Sequence, residues 1–160
     1  SDLLVQVGGG IGHGAGGDDY RSRTGFAVDA LVGRASPGTH SRLLALQAAA
    51  QGWPGTGDSC EPTPAGACRE DFPVFYSLTA LLGRAWGRTS SVNASVLLGP
   101  GIQLADDGGS ALALSGRAQG GIRIVAPVEA TLSLSTSLLP NYRGDVLLLT
   151  SLKVGLSLRR

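Results

Sequence analysis

Long segments of this chain alternate between apolar and polar residues, and this period of two restricts the fold more than any other feature of the sequence. The last segment shows the pattern: Leu152, Val154, Leu156 and Leu158 alternate with Ser151, Lys153, Gly155 and Ser157. Successive side chains of a β-strand point to opposite faces. The alternation therefore predicts strands with one apolar and one polar face.

Turn-forming residues divide the chain into eight such segments. We place the strands near 3–14, 24–35, 42–53, 73–86, 92–104, 110–125, 130–139 and 145–158. The connections consist largely of Gly, Pro, Asn, Asp and Ser, and the longest is 54–72. Because hairpins join consecutive strands, we expect an all-β, up-and-down antiparallel barrel of eight strands without exposed edges. Residues 1–160 are expected to form this one domain.

Strand length and composition indicate which solvent surrounds the barrel. Charged residues make up 16% of the chain, against about 25% in soluble domains. Nearly all the predicted strands reach the roughly 9–11 residues that a membrane-crossing strand needs. Short turns also alternate with longer loops, as in transmembrane barrels with short periplasmic turns. We therefore expect the apolar face to meet lipid. The alternative is a soluble lipid-binding barrel with the two faces reversed.

Aromatic residues are expected to form belts at the two membrane interfaces. The residues near predicted outer strand ends are Tyr20, Trp53, Phe72, Phe75, Tyr76 and Tyr142, and Trp86 lies near a periplasmic turn.

The C-terminal segment carries the one motif that suggests a family. Lys153, Gly155 and Leu158 match the polar residue, the glycine two positions on and the alternating hydrophobic residues that close Gram-negative outer-membrane barrels, and Arg160 stands where an aromatic residue is usual. With its eight strands, the chain resembles the small outer-membrane β-barrel proteins of the OmpA-barrel, OmpX and OmpW class. The resemblance implies insertion from the periplasm into the outer membrane.

This location sets the expected partners. They are outer-membrane lipid, lipopolysaccharide, the barrel-assembly machinery during insertion and a protein bound at the surface loops. Nucleic acid is not expected, since the net charge is only +1. The chain opens at Ser1 without a charged segment and an apolar core, so we expect a signal peptide to have been removed.

The few charges on the polar face predict a network inside the lumen. Its members are Asp29, Arg117, Arg123 and Lys153. An eight-stranded barrel is just wide enough for its own side chains, which favours a salt-bridged plug. The alternative is a narrow path for ions or small solutes.

The connection 54–72 is the most informative segment outside the strands. Cys60 and Cys68 are the only cysteines, and we expect them to form a disulfide in an oxidising compartment. The alternative is a pair of free thiols. The bridge would protect the loop from proteolysis or stiffen it for binding. The candidate partner-binding residues are Glu61, Arg69, Glu70 and Asp71.

No motif indicates catalysis, a metal or a cofactor. Residues 12–17 fit G-x-G-x-x-G, but a strand follows where dinucleotide binding requires a helix. His13 has Ser77 and Asp29 as conceivable partners, and His40 lies in a predicted turn, yet neither belongs to a nucleophile motif. We therefore expect a structural or surface-interaction protein that binds through its loops and is not an enzyme. A narrow channel is the alternative.

Overall fold

The chain folds into ten β-strands in a computed structural model that describes residues 2–16, 22–53, 61–62, 68–69, 73–87 and 89–160. The strands are β1 (Asp2–Gly16), β2 (Arg23–Ala35), β3 (His40–Gly52), β4 (Glu61–Pro62), β5 (Cys68–Arg69), β6 (Phe75–Trp86), β7 (Val92–Ala105), β8 (Ser110–Val125), β9 (Val128–Tyr142) and β10 (Asp145–Arg159).

Eight of these strands close into one antiparallel barrel. Its order is β1-β10-β9-β8-β7-β6-β3-β2, and β1 pairs with both β2 and β10 to complete the ring. The strands β4 and β5 form a separate two-stranded sheet within the long connection. The predicted up-and-down barrel of eight strands is confirmed. In the described ranges, no helix is long and apolar enough to cross a membrane.

The alternation of the sequence becomes an alternation of burial. In β7 every residue from Val92 to Ala105 switches between exposed and buried, beginning with exposed Val92. The exposed positions on all eight strands are mostly Leu, Val and Ile, whereas Ser, Thr, Gln and Asn occupy many of the buried positions. The apolar face is thus the outer surface of the barrel. This arrangement is the reverse of a soluble lipid-binding barrel, whose apolar face would line the lumen.

The barrel has two distinct ends. We call the end with the chain termini and the connections 36–39, 87–91 and 126–127 the terminal end. Leu3 and Arg160 exchange backbone hydrogen bonds there, at 2.8 and 2.9 Å. The other end carries the connections 17–22, 53–74, 106–109 and 143–144, and we call it the loop end.

Two strands approach each other closely at an interruption of their pairing. Ala80 and Leu81 of β6 have no Cα partners in β7, where Gly99 and Pro100 lie opposite the gap. Proline has no backbone N–H to donate to a sheet. A Cβ atom at Gly99 would collide with the carbonyl oxygen of Ala80, so the backbones can approach this closely only because glycine occupies the position.

Candidate functional site

A charged cluster closes the middle of the lumen. Oδ2 of Asp29 accepts hydrogen bonds from Nη1 of Arg117 at 2.5 Å and from Nε2 of Gln47 at 2.8 Å, and it lies 2.6 Å from Nζ of Lys153. The side chains of Asp29, Arg117 and Lys153 are 0%, 1% and 2% exposed. One buried carboxylate from β2 therefore binds two buried cations, one from β8 and one from β10.

Glycine in β1 makes room for this cluster. Gly8 lies between β2 and β10 in the barrel, paired with Asp29 on one side and Gly155 on the other. A Cβ atom at Gly8 would lie 3.0 Å from Oδ1 of Asp29 and 3.8 Å from Cβ of Lys153. The absent side chain thus lets the carboxylate and the ammonium group meet across β1.

Arg123 does not join this cluster. It is exposed at the terminal end of β8, paired in register with Glu129, and the register of β8 and β9 shifts between Arg123 and Val125. The expectation that Arg123 belongs to the buried network is wrong because its strand ends at the barrel rim. The alternation of the sequence predicts which face of the sheet Arg123 lies on, but not how far along the barrel axis it lies.

A second buried polar cluster, absent from the network predicted above, surrounds Glu129. This residue is 1% exposed. Its Oε2 accepts hydrogen bonds from Nδ2 of Asn93 at 3.0 Å and from Oγ of Ser157 at 3.3 Å, and it lies 3.3 Å from Nη2 of Arg159. The sequence feature that could have predicted this cluster is the polar face on which Asn93, Glu129 and Ser157 lie. A group of buried apolar residues also lies in the lumen and consists of Leu4, Leu31, Ala35, Leu43, Ala45, Leu81 and Leu97.

Aromatic side chains fill the lumen at the loop end. The ring of Phe75 packs edge-on against Tyr142 and Trp53, with centroid distances of 5.2 and 6.3 Å, and all three residues are buried. The predicted place of these three in an outer belt is wrong, since they form an apolar plug inside the lumen. Trp53 and Phe75 share the inward parity of β3 and β6. Tyr142 has the outward parity of β9 and points inward because the register of β9 and β10 shifts by one residue after Leu139. Tyr76 is exposed on the outer wall as predicted, as is Trp86 near the opposite end, and Tyr20 and Phe72 lie outside the described residues.

The plug is tied to the loops around it. The hydroxyl of Tyr142 donates to the carboxylate of Asp107 at 2.8 Å, and Nε1 of Trp53 donates to the carbonyl of Arg23 at 3.0 Å. The backbone N–H of Val74 donates to Oδ1 of Asp106 at 3.1 Å. Both ends of the long connection, at Trp53 and Val74, are thereby fixed to the rim of the barrel.

A small polar chamber lies between the plug and the charged cluster. Its volume is about 40 Å³, and its walls include Gln51, Ser77, Thr79, Gln103, Ser115, Ser137 and Lys153. A site needs roughly 10–15 Å³ of such volume for one water molecule. The chamber therefore has room for a few waters and none for an organic ligand.

The histidines do not form a catalytic arrangement. His13 is exposed on the outer wall, where Nδ1 lies 3.0 Å from Oγ1 of Thr24. Ser77 lines the lumen chamber, and Asp29 is in the buried cluster, so the wall separates both of them from His13. His40 is exposed at the terminal end, beside Thr39. Among the described residues, no group of three or more His, Cys, Asp or Glu side chains is placed to hold a metal ion.

The long connection is described only in part. Glu61 pairs with Arg69 and Pro62 with Cys68 in the β4–β5 ladder. Cys60, Glu70 and Asp71 lie outside the described residues. The disulfide and the binding role of this segment therefore stay predictions.

Comparison with solved structures identifies the fold. The chain is similar to Neisserial surface protein A (NspA), with a TM-score of 0.62, 12% identity, and 99% of this chain and 98% of that one covered. It is also similar to Ail, the attachment invasion locus protein of Yersinia pestis, with a TM-score of 0.58, 11% identity, and 98% and 97% covered. Ail in complex with the heparin analogue sucrose octasulfate gives a TM-score of 0.54 at 13% identity, over 98% and 97% of the two chains.

No protein-family model and no curated protein matches the sequence. The likeness lies in the backbone, since about one residue in eight is identical, and it extends over almost the whole of each chain. The chain thus has the fold of the small eight-stranded outer-membrane β-barrels, as its strand count and closing segment predict.

Proposed function

We propose that the protein is an integral outer-membrane barrel that holds a binding surface at its loop end. The observation that carries this proposal is the combination of an apolar outer wall with a filled lumen. An apolar wall of this extent requires lipid around it, and strands of 12–16 residues are long enough to cross a bilayer. A filled lumen leaves the loops as the surface available for function.

The packing of the lumen argues against the channel alternative. A solute would have to pass the aromatic plug at Phe75, the charged cluster at Asp29 and the group around Leu31 and Glu129. Each of these layers is buried. In planar bilayers, we expect the purified protein to give no conductance steps. Regular steps that persist after repurification would contradict the filled lumen and restore the channel hypothesis.

The charge of the long loop indicates the chemistry of its partner. Residues 54–72 contain four acids (Asp58, Glu61, Glu70 and Asp71) and one base (Arg69), so the loop carries a net charge of −3. Asp106 adds a further carboxylate beside the exit of the loop, where it bonds Val74. Complementary charge favours encounter and selects the partner. We therefore propose a cationic protein surface as the partner.

The negative charge of the long loop suggests a different ligand from the one bound by a structural neighbour. That neighbour, Ail, was crystallised with sucrose octasulfate, a highly anionic molecule. A loop of net charge −3 repels such a ligand. We expect this protein to bind poly-L-lysine in a salt-dependent manner and not to bind sucrose octasulfate.

Location and binding are tested separately. Fractionation of cells that express the precursor, with a carbonate wash, should leave the protein in the outer-membrane fraction. Release into the soluble fraction would refute the membrane placement. For binding, protein in neutral-lipid nanodiscs is titrated with poly-L-lysine and compared with the variant Glu61→Gln/Glu70→Gln/Asp71→Asn. The control variant Asp2→Asn neutralises an acid at the opposite end of the barrel. Glu129, which also lies at that end, is left unchanged because it is buried. Equal affinity of all three proteins would refute the loop as the binding surface.

A further inference from the structure

The outer wall of the barrel carries a cluster of charge at one place. Among the described strand residues that point outward, the charged ones are Arg34 in β2, Arg42 in β3 and Arg84 in β6. All three are exposed, and their strands are neighbours in the barrel. Arg42 lies directly opposite Arg84, and Arg34 lies opposite Leu44, two residues along β3 from Arg42. We call these three residues the arginine cluster.

Nothing in the described part of the chain neutralises the arginine cluster. The ion pairs at Asp29, Asp107 and Glu129 do not include any of the three arginines. Like charges directly opposite each other in a sheet are destabilising. Three guanidinium groups on a mostly apolar wall thus leave room for an anion supplied from outside the chain.

The cluster lies at the level where a bilayer presents its headgroups. Arg34, Arg42 and Arg84 all lie within three residues of their strand ends, at the terminal end. From Arg84 to Tyr76, which is exposed near the other end of β6, the strand rises roughly 26 Å. A tilt of about 40° makes this some 20 Å across the membrane, close to the apolar band of about 25 Å in outer-membrane barrels.

The neighbours of the cluster are suited to the two parts of a lipid molecule. Toward the middle of the wall lie Leu44 and Leu82, which pair with each other and are 62% and 61% exposed. Toward the strand ends, Trp86 pairs with His40. Guanidinium groups bind phosphate through paired N–H donors, and exposed leucines contact acyl chains. The wall therefore matches a phosphate and the hydrocarbon below it.

We propose that the arginine cluster is a binding site for an anionic phospholipid, with its phosphate on Arg34, Arg42 and Arg84 and its acyl chains over Leu44 and Leu82. The site belongs to the leaflet at the terminal end. The inference rests on the membrane placement proposed above and adds a specific ligand site to it. Each arginine contributes about fivefold to the preference for anionic lipid, which is the usual effect of a basic residue near an anionic membrane surface.

The test is native mass spectrometry of protein reconstituted with equal amounts of phosphatidylglycerol and phosphatidylcholine and then released from the bilayer. The wild-type protein should retain phosphatidylglycerol in at least tenfold preference, because even two of the fivefold effects multiply to about 25-fold. The variant Arg34→Gln/Arg42→Gln/Arg84→Gln should lose this preference. The variant Arg123→Gln, altered at an exposed arginine on the same end but in β8, should keep it.

The outcomes separate the two proposals. A protein that fails to enter bilayers refutes the membrane placement. A protein that inserts but retains both lipids equally, or whose triple variant keeps the preference, refutes the lipid site. Displacement of the lipid by inorganic phosphate at equal concentration would also refute it, since the leucines would then contribute nothing. Transfer of the preference to lipopolysaccharide would place the cluster in the other leaflet and overturn the assignment. Because the side chains face outward, the triple variant should still fold.

Discussion

Removal of the Asp29 carboxylate should destabilise the barrel more than any other single loss of charge in the lumen. The variant Asp29→Asn removes the negative charge of the carboxylate, whose Oδ2 lies 2.5 Å from Nη1 of Arg117 and 2.6 Å from Nζ of Lys153. All three side chains are at most 2% exposed, so bulk water cannot replace the carboxylate. Breaking a buried ion pair by removing one partner costs about 3–5 kcal/mol, and here two cations lose the same partner. We expect the free energy of unfolding to fall by about that amount.

A matched variant tests whether charge balance is the cause. Lys153→Met removes one of the two cations and roughly conserves side-chain volume, and Asp29 keeps Arg117 and Gln47 as partners. Its cost should stay below about 1.5 kcal/mol, as for volume-conserving exchanges. The double variant Asp29→Asn/Lys153→Met should be more stable than Asp29→Asn alone, because a single cation is then left unpaired.

The assay is equilibrium unfolding in urea in lipid vesicles, followed by tryptophan fluorescence. Trp53 is buried in the aromatic plug and reports loss of packing at the loop end. The reasoning is refuted if Asp29→Asn stays within about 1 kcal/mol of wild type, well short of the expected cost. It is refuted equally if Lys153→Met is as costly as Asp29→Asn, because the effect would then follow lost packing and not unbalanced charge.

Three further changes test other parts of the fold by the same unfolding assay. Gly99→Ala should cost about 1–3 kcal/mol from overpacking against the Ala80 carbonyl, whereas Gly116→Ala, where the nearest atom would lie 3.6 Å away, should be neutral or slightly stabilising; equal effects would contradict the close approach. Tyr142→Phe removes the hydrogen bonds to the Asp107 carboxylate and should cost about 1.5–3 kcal/mol and speed proteolysis at 106–109; unchanged proteolysis would show that the bond does not hold this turn. Phe75→Ala should cost about 3–5 kcal/mol and still give no conductance in planar bilayers, since the charged cluster remains; an open pore would show that the plug alone closes the lumen.

The orientation of most side chains was predictable from the sequence. A strand has a fixed period of two, so the placement of Val92, Lys153 or Leu156 on a face follows from counting along the chain. The choice of the outer face also followed, because apolar residues dominate it and charges are scarce. The turn chemistry gave the number of strands, and the observed bounds of β9, Val128–Tyr142, extend the predicted 130–139 by a few residues at each end.

The partners of the inward side chains depended on the barrel register. Asp29 and Arg117 are 88 positions apart in sequence, and they meet because closure of the sheet and the stagger of its strands place them at the same height. The same geometry leaves Arg123 at the rim and brings Trp53, Phe75 and Tyr142 together as a plug. Sequence periodicity specifies the face of most residues, with Tyr142 an exception after the register shift of β9, whereas the height of a residue in the barrel depends on strand pairing over the whole ring. The eight barrel strands, the facing of most of their residues and the fold class were therefore determined by the sequence alone, whereas the β4–β5 sheet, the charged cluster, the aromatic plug and the arginine cluster were decided by tertiary structure.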